Sequence, residues 1–163
     1  MKNKIYRNHG AVGALLDEYE KAIEELKGVI KSISINQLIE IADNQTKDED
    51  CKSIQTILSH VISSGYNYVV VVRKWLGEKI DYTEKELLFT IPDYIIGIDK
   101  MFDFNVKLFE DYPGIKLEEY NLDKKIKVRW GQQYDVEQLL EHAIVHILRH
   151  RRQIERFKFK LEN

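Results

Sequence analysis

Apolar residues return at three- and four-residue steps in four separate segments, the spacing of amphipathic helices. Over about residues 11–33 the stripe is Leu15, Leu16, Tyr19, Ile23, Leu26, Ile30 and Ile33, with Asp17, Glu18, Glu24 and Glu25 between them. A second stripe covers about 53–76 through Ile54, Ile57, Leu58, Val61, Gly65, Tyr68, Val69 and Val72. Ser53 is placed to cap its start, and Gly77 to close it as the first residue past the end. The third starts near Pro92, acceptable in a first helical turn, and passes Ile95, Ile98, Phe102 and Phe109 before stopping at Pro113-Gly114. The fourth opens at Asp135, where Asp-Val-Glu-Gln resembles a capping box, and continues almost to the last residue through Val136, Leu139, Leu140, Ala143, Ile147, Ile154 and Phe157.

Between these stripes lie two long connections. Residues 34–52 end in a polar run and leave room for a short extra helical turn. In residues 113–134, Ile126, Val128 and Trp130 alternate with Lys125, Lys127 and Arg129, a period of two that predicts a short strand or hairpin near 125–130. There is no internal repeat and no low-complexity tract. The pattern predicts an all-α fold, a single four-helix-bundle domain over residues 1–163. Its connections are long enough for a crossover topology.

Composition changes this picture little but excludes several functions. Of 163 residues, 44% are apolar and 32% charged, enough for an ordinary globular core, and two prolines and eight glycines suit long helices. A formal charge of −2 gives no global field to recruit nucleic acid or an acidic membrane. The basic run from Arg149 to Lys160 is explained by cations favouring a helix C-terminus. One cysteine, Cys51, cannot form an internal disulfide and fits a reducing compartment. The longest purely aliphatic run is Val69–Val72, too short for a membrane span or a signal peptide, so the expectation is a cytoplasmic protein.

Chemistry is concentrated in the fourth stripe. His142, His146 and His150 recur at every fourth position, and the chain has only five histidines. Each helical residue turns about 100°, so from Val136 they stand at roughly 240°, 280° and 320° around the axis. The stripe spirals inward, from His142 on the rim to His150 on the apolar face. Two imidazoles one turn apart can converge on one ion, and His60, on the second helix, is the natural third ligand. Three such residues span about 12 Å along the axis, too far for one ion, which leaves His142 as a pocket residue beside the pair His146 and His150. His9 lies in a polar stretch without such context. On spacing alone, boundary residues and metal ligands are equally good readings.

Taken together, SIQTILSHV and LLEHAIVHILRHRRQI resemble the DinB-like (damage-inducible) superfamily, over essentially the whole chain. The family pattern has one histidine midway along the second helix, matched by His60. It also has H-x-x-x-H-R-x-Q late in the last long helix, matched by His146, His150, Arg151 and Gln153, with His142 as the additional upstream histidine. Trp75-Leu76-Gly77 also fits, whereas Arg152 stands where many members carry glycine. The resemblance implies a bundle of unusual topology, commonly dimeric, with nickel or zinc on His60, His146 and His150. It implies pocket or supporting roles for His142, Arg151 and Gln153. Some relatives transfer low-molecular-weight thiols such as bacillithiol, mycothiol or glutathione, and others are maleylpyruvate isomerases.

Other constellations are absent. Di-iron bundles need Glu-x-x-His, but Ile57, Leu139, Ala143 and Ile147 occupy the corresponding positions. Ala143 and Ile147 stand where H-E-x-x-H zinc helices carry glutamate, and no phosphate loop, nucleophile elbow or C-x-x-C occurs. The expectation is a metal-dependent enzyme acting on a small molecule, a thiol S-transferase or a hydrolase, with neither nucleic acid nor membrane among its partners. A non-catalytic metal-binding stress or interaction module is the alternative.

Overall fold

The computed structural model describes residues 6–8 and 10–162; His9 lies outside them. The described chain is all-α with one small hairpin. Four long helices, α1 (Gly10–Ile30), α3 (Ile54–Trp75), α4 (Ile91–Asp111) and α5 (Val136–Glu162), accompany the short α2 (Ile35–Ile39). Strands β1 (Ile126–Lys127) and β2 (Gln133–Tyr134) pair antiparallel, Ile126 opposite Tyr134 and Lys127 opposite Gln133.

Local chemistry sets the helix ends. Ser53 and Thr56 form a reciprocal cap at the start of α3, and Ser34 with Gln37 does the same for α2. Asp135 Oδ1 accepts from Gln138 N while Gln138 Oε1 accepts from Asp135 N, which opens α5. At the end of α3, Glu78 N bonds Arg73 O and Gly77 N bonds Lys74 O, with Gly77 at φ +94°. That is the Schellman arrangement, which favours glycine.

α1 packs along α5 and against α4, while α3 packs along both α4 and α5, so the order around the bundle is α1–α5–α3–α4. Cross-helix contacts give the directions. Arg151 pairs with Glu25 and Lys158 bonds Val29 O, so α1 and α5 are parallel. Ser59 meets Tyr94, Gly65 meets Asn105 and Arg73 meets Asp111, so α3 and α4 are parallel as well. His60 meets His146 whereas Tyr68 meets His142, which makes α3 and α5 antiparallel. The bundle runs up-down-down-up. Residues 76–90 must therefore return along its length, and two bonds between Asn67 and Thr83 (2.8 and 3.0 Å) and one from Gln55 Nε2 to Leu88 O (2.8 Å) tie them to α3.

The core fills the space between the four helices with Tyr19, Leu26, Ile57, Leu58, Ile98, Met101 and Ile154, all fully buried. No helix of the described residues is long and apolar enough to cross a membrane.

Three details differ from the sequence expectation. α1 stops at Ile30, and Ile33 is buried from the following turn. Ile126 and Val128 enter the core, but Trp130 leaves the strand at a turn closed by Gly131 (φ +89°) and is half exposed. Trp75, an aromatic that the sequence alone would assign to core or pocket wall, lies at the surface and donates to Lys124 O at 2.9 Å, because it occupies the solvent side of the last turn of α3.

At Gly65 the Met101 side chain of α4 fills the space next to α3: a Cβ there would lie 2.3 Å from Met101 Sδ and 2.7 Å from its Cγ. Met101 is fully buried and has little room to withdraw. Gly65→Ala should lower unfolding stability by about 1–3 kcal/mol in chemical denaturation, the usual cost of overpacking. A variant as stable as the parent would show that the methionine side chain absorbs the methyl group.

Candidate metal centre

His60 projects from α3 and His146 and His150 from one face of α5, and the three rings meet where these antiparallel helices touch. His60 Nε2 lies 2.9 Å from His146 Nε2, and His150 Nε2 lies 3.2 Å from the same atom. One ligand nitrogen from each residue falls within 4.8 Å of the others. His146 and His150 are buried and His60 is half-buried.

The outer nitrogens decide the protonation pattern. His60 Nδ1 faces Asp50 Oδ2 at 3.1 Å, and a carboxylate only accepts, so Nδ1 carries the proton. His150 Nδ1 faces Gln153 Oε1 at 3.1 Å, and the Cys51 thiol approaches the same oxygen at 3.8 Å, so Nδ1 is the donor there too. Both of these residues then turn an Nε2 lone pair toward His146. A neutral His146 has one N–H at most, so at least one Nε2···Nε2 contact has no proton in it. The cluster is short of positive charge at its centre.

Burial and mutual repulsion keep it from recruiting that charge as protons. His150 is held down to about 4, chiefly by burial and then by His60. His146 is lowered further, by burial and then by His150 and His60, and His60 is lowered by burial against the opposing pull of Asp50. Neutral imidazole is the ligating form. A tetrahedral ion with bonds of about 2.0–2.1 Å separates its ligand nitrogens by roughly 3.3 Å. The donor set, its protonation and its spacing therefore fit a divalent ion, and the Asp50–His60 and Gln153–His150 bonds are the outer supports that such ligands use.

His142 stands apart. Its ring stacks on Trp130 (centroids 5.5 Å, 23°), its Nδ1 is 3.4 Å from the Tyr134 hydroxyl, and its centroid is 6.4 Å from that of His146. Arg151 is not at the site: it reaches across to α1, pairing with Glu25 and, at 3.6 Å, with Glu155. A residue one step past His150 is turned about 100° away from it, which explains the correction. Arg152 also points elsewhere, into a polar groove with Asp43 and Arg156.

A cavity of about 390 Å³ opens beside the cluster, with His60 and His146 in its wall. Tyr68, Tyr82, Trp130, Arg129, Arg149, His142, Asn67, Ser64 and Val71 complete the lining. Sequence reading missed Asp50, Arg129 and Arg149. Asp50 reaches His60 through the path of a loop, which carries no periodic signal. Arg149 was recoverable: at roughly 220° from Val136 it shares the flank of His142.

Compared with known proteins, the chain matches no family model, no curated protein and no solved structure.

Two outcomes follow from this geometry. Asp50→Ala should keep one zinc ion per chain but weaken its affinity about 10–100-fold, as measured by chelator competition, because Nε2 loses its electrostatic and orienting support. Unchanged affinity would remove Asp50 from the site. The second concerns pH. Each of the three histidines has a folded pKa below its unfolded value near 6.5, so its contribution is present above that pH and is lost as pH falls toward the folded value. The denaturation midpoint of metal-free protein should fall between pH 6.5 and 5, and His150→Gln should make that decline shallower. Parallel pH profiles for the two proteins would contradict the burial of a neutral imidazole.

Proposed function

We propose that the protein is a DinB-like metal-dependent enzyme, with zinc or nickel on His60, His146 and His150, acting on a small electrophilic molecule. The observation that carries the reading is the convergence of three Nε2 atoms whose partners, Asp50 and Gln153, orient two lone pairs inward. The up-down-down-up bundle and the H-x-x-x-H-R-x-Q run support membership of the DinB-like superfamily. A cytoplasmic location and a homodimer belong to the same proposal and rest on the resemblance and the single cysteine.

A divalent ion so held would bring a bound water to a pKa near neutrality, or hold a low-molecular-weight thiol as its thiolate. The chain supplies the rest. Asp50 and Gln153 fix the tautomers of His60 and His150. Tyr68, Tyr82 and Trp130 wall the cavity with ring surface and limit competing water. His142 is held below its ordinary pKa by burial and by Arg149, so it is neutral near pH 7 and able to take up a proton at the cavity wall.

The cavity favours an enzyme over a non-catalytic metal module, because structural zinc sites close four protein ligands around the ion. Elemental analysis and turnover assays with low-molecular-weight thiols test the proposal. His60→Ala, His146→Ala and His150→Ala should each abolish stoichiometric tight binding with helical content kept. His142→Ala should keep the ion, within about 10–100-fold of the parent affinity, and lower turnover. Full metal content in any of the first three variants would exclude that ligand.

A further inference from the structure

We propose that the cavity beside the histidines binds a small carboxylate carrying a flat apolar body. The inference deepens the metal-centre reading and rests on it for what happens at the reactive end of the ligand, while the seat for the carboxylate is made by the chain itself.

The charge in the cavity is one-sided. Arg129 and Arg149 both line it, and no Asp or Glu does so among the described residues. Neither arginine has an ion pair among the described residues. The Arg129 guanidinium instead lies 3.6 Å over the ring of Tyr82, which holds its charge in place without neutralising it. Arg149 lines the same wall as Tyr68 and His142, so its charge stands beside the aromatic surface. Asp50, the carboxylate in contact with the cluster, is engaged behind His60 by Nδ1 and by Lys85, and neither it nor Asp48, which acts on His60 and His150 from further off, lines the cavity. Two guanidiniums facing an acid-free hollow attract and orient an oxyanion, and their planar forks suit a carboxylate.

The walls state the other half of the ligand. Tyr68 stands edge-on to Trp130 (6.2 Å, 80°), and Trp130 lies nearly parallel to His142, leaving flat ring faces around a hollow of about 390 Å³. Pockets of this size enclose small organic ligands. An inorganic anion would meet the arginines and leave the aromatic surface uncovered.

The test uses the full chain, both zinc-loaded and metal-stripped, with benzoate, benzamide and inorganic phosphate as probes. The Trp130 indole N–H resonance, assigned with Trp130→Phe, reports occupancy. Benzoate should shift it saturably in both forms, and benzamide and phosphate should each bind at least roughly tenfold more weakly. Arg149→Gln and Arg129→Gln should each weaken benzoate by roughly tenfold, whereas Arg156→Gln, an equal loss of charge outside the cavity, should not. Arg149 and Arg129 are both exposed, so these variants leave the packed core intact. Equal binding of benzoate and benzamide, equal binding of benzoate and phosphate, or equal effects of Arg149→Gln and Arg156→Gln would each overturn the proposal. A chain that takes up no zinc yet binds benzoate through Arg149 upholds it and overturns the metal centre instead. A chain that holds zinc but does not distinguish the probes overturns this proposal alone.

Discussion

The structure turns on one unfavourable contact: imidazole nitrogens of two helices pressed to 2.9 and 3.2 Å with too few protons to bridge them. Chain topology makes the contact possible. In a simple up-down-up-down bundle α3 and α5 would face each other across the diagonal, out of reach of their side chains. Running α3 and α4 in the same direction puts α3 beside α5 and His60 against His146. The geometric cost is the return segment 76–90, and that segment is itself used. It carries Tyr82 into the cavity wall and Lys85 to Asp50.

Charges are sorted about this contact. Asp50 stands behind His60, drawing the Nδ1 proton outward and leaving the lone pair inward. The cations, Arg129 and Arg149, stand on the cavity side. Burial, with Arg149 beside it, discourages protonation of His142, and burial with the neighbouring histidines discourages that of His146, so an ion would supply the positive charge that protons do not. A divalent ion on neutral imidazoles would add to the field of the two arginines, and the hollow would then favour anionic ligands further.

How much of this was legible in the sequence depended on whether a feature repeats. The four long helices were legible because their buried residues recur with the helical period, and their caps at Ser53 and Asp135 are local chemistry. The convergence of His146, His150 and His60 could be inferred because angular position around α5 separates His150 from His142. The same arithmetic, applied to the arginines, places Arg149 on the histidine flank and Arg151 near 60°, on the opposite one. Motif resemblance had favoured Arg151, and the helix turn decides otherwise. Asp50 was not legible. It lies ten positions before His60 in a non-periodic loop, and only the packing of the short 3₁₀ turn Glu49–Cys51 on α3 brings it to Nδ1. Trp130 was placed with Ile126 and Val128 because alternation gives no sign of where a strand ends; Gly131 is the residue that ends it.

The core bears on what an ion would be doing here. Small metal-dependent folds use the ion because they cannot otherwise bury enough apolar surface. This bundle buries Tyr19, Leu26, Ile57, Leu58, Ile98, Met101, Leu108 and Ile154 independently of the histidines, along helices of up to 27 residues. An ion is not needed to close such a core. The three imidazoles, by contrast, stand where apolar side chains would pack at the α3–α5 contact, and their lowered basicity should weaken the fold in acid, a local expense that structural stability does not explain. Sequences tolerate such conflicts between packing and polarity chiefly at working sites. The energetics of the cluster and the open cavity beside it therefore argue for the same thing, an ion kept accessible for chemistry.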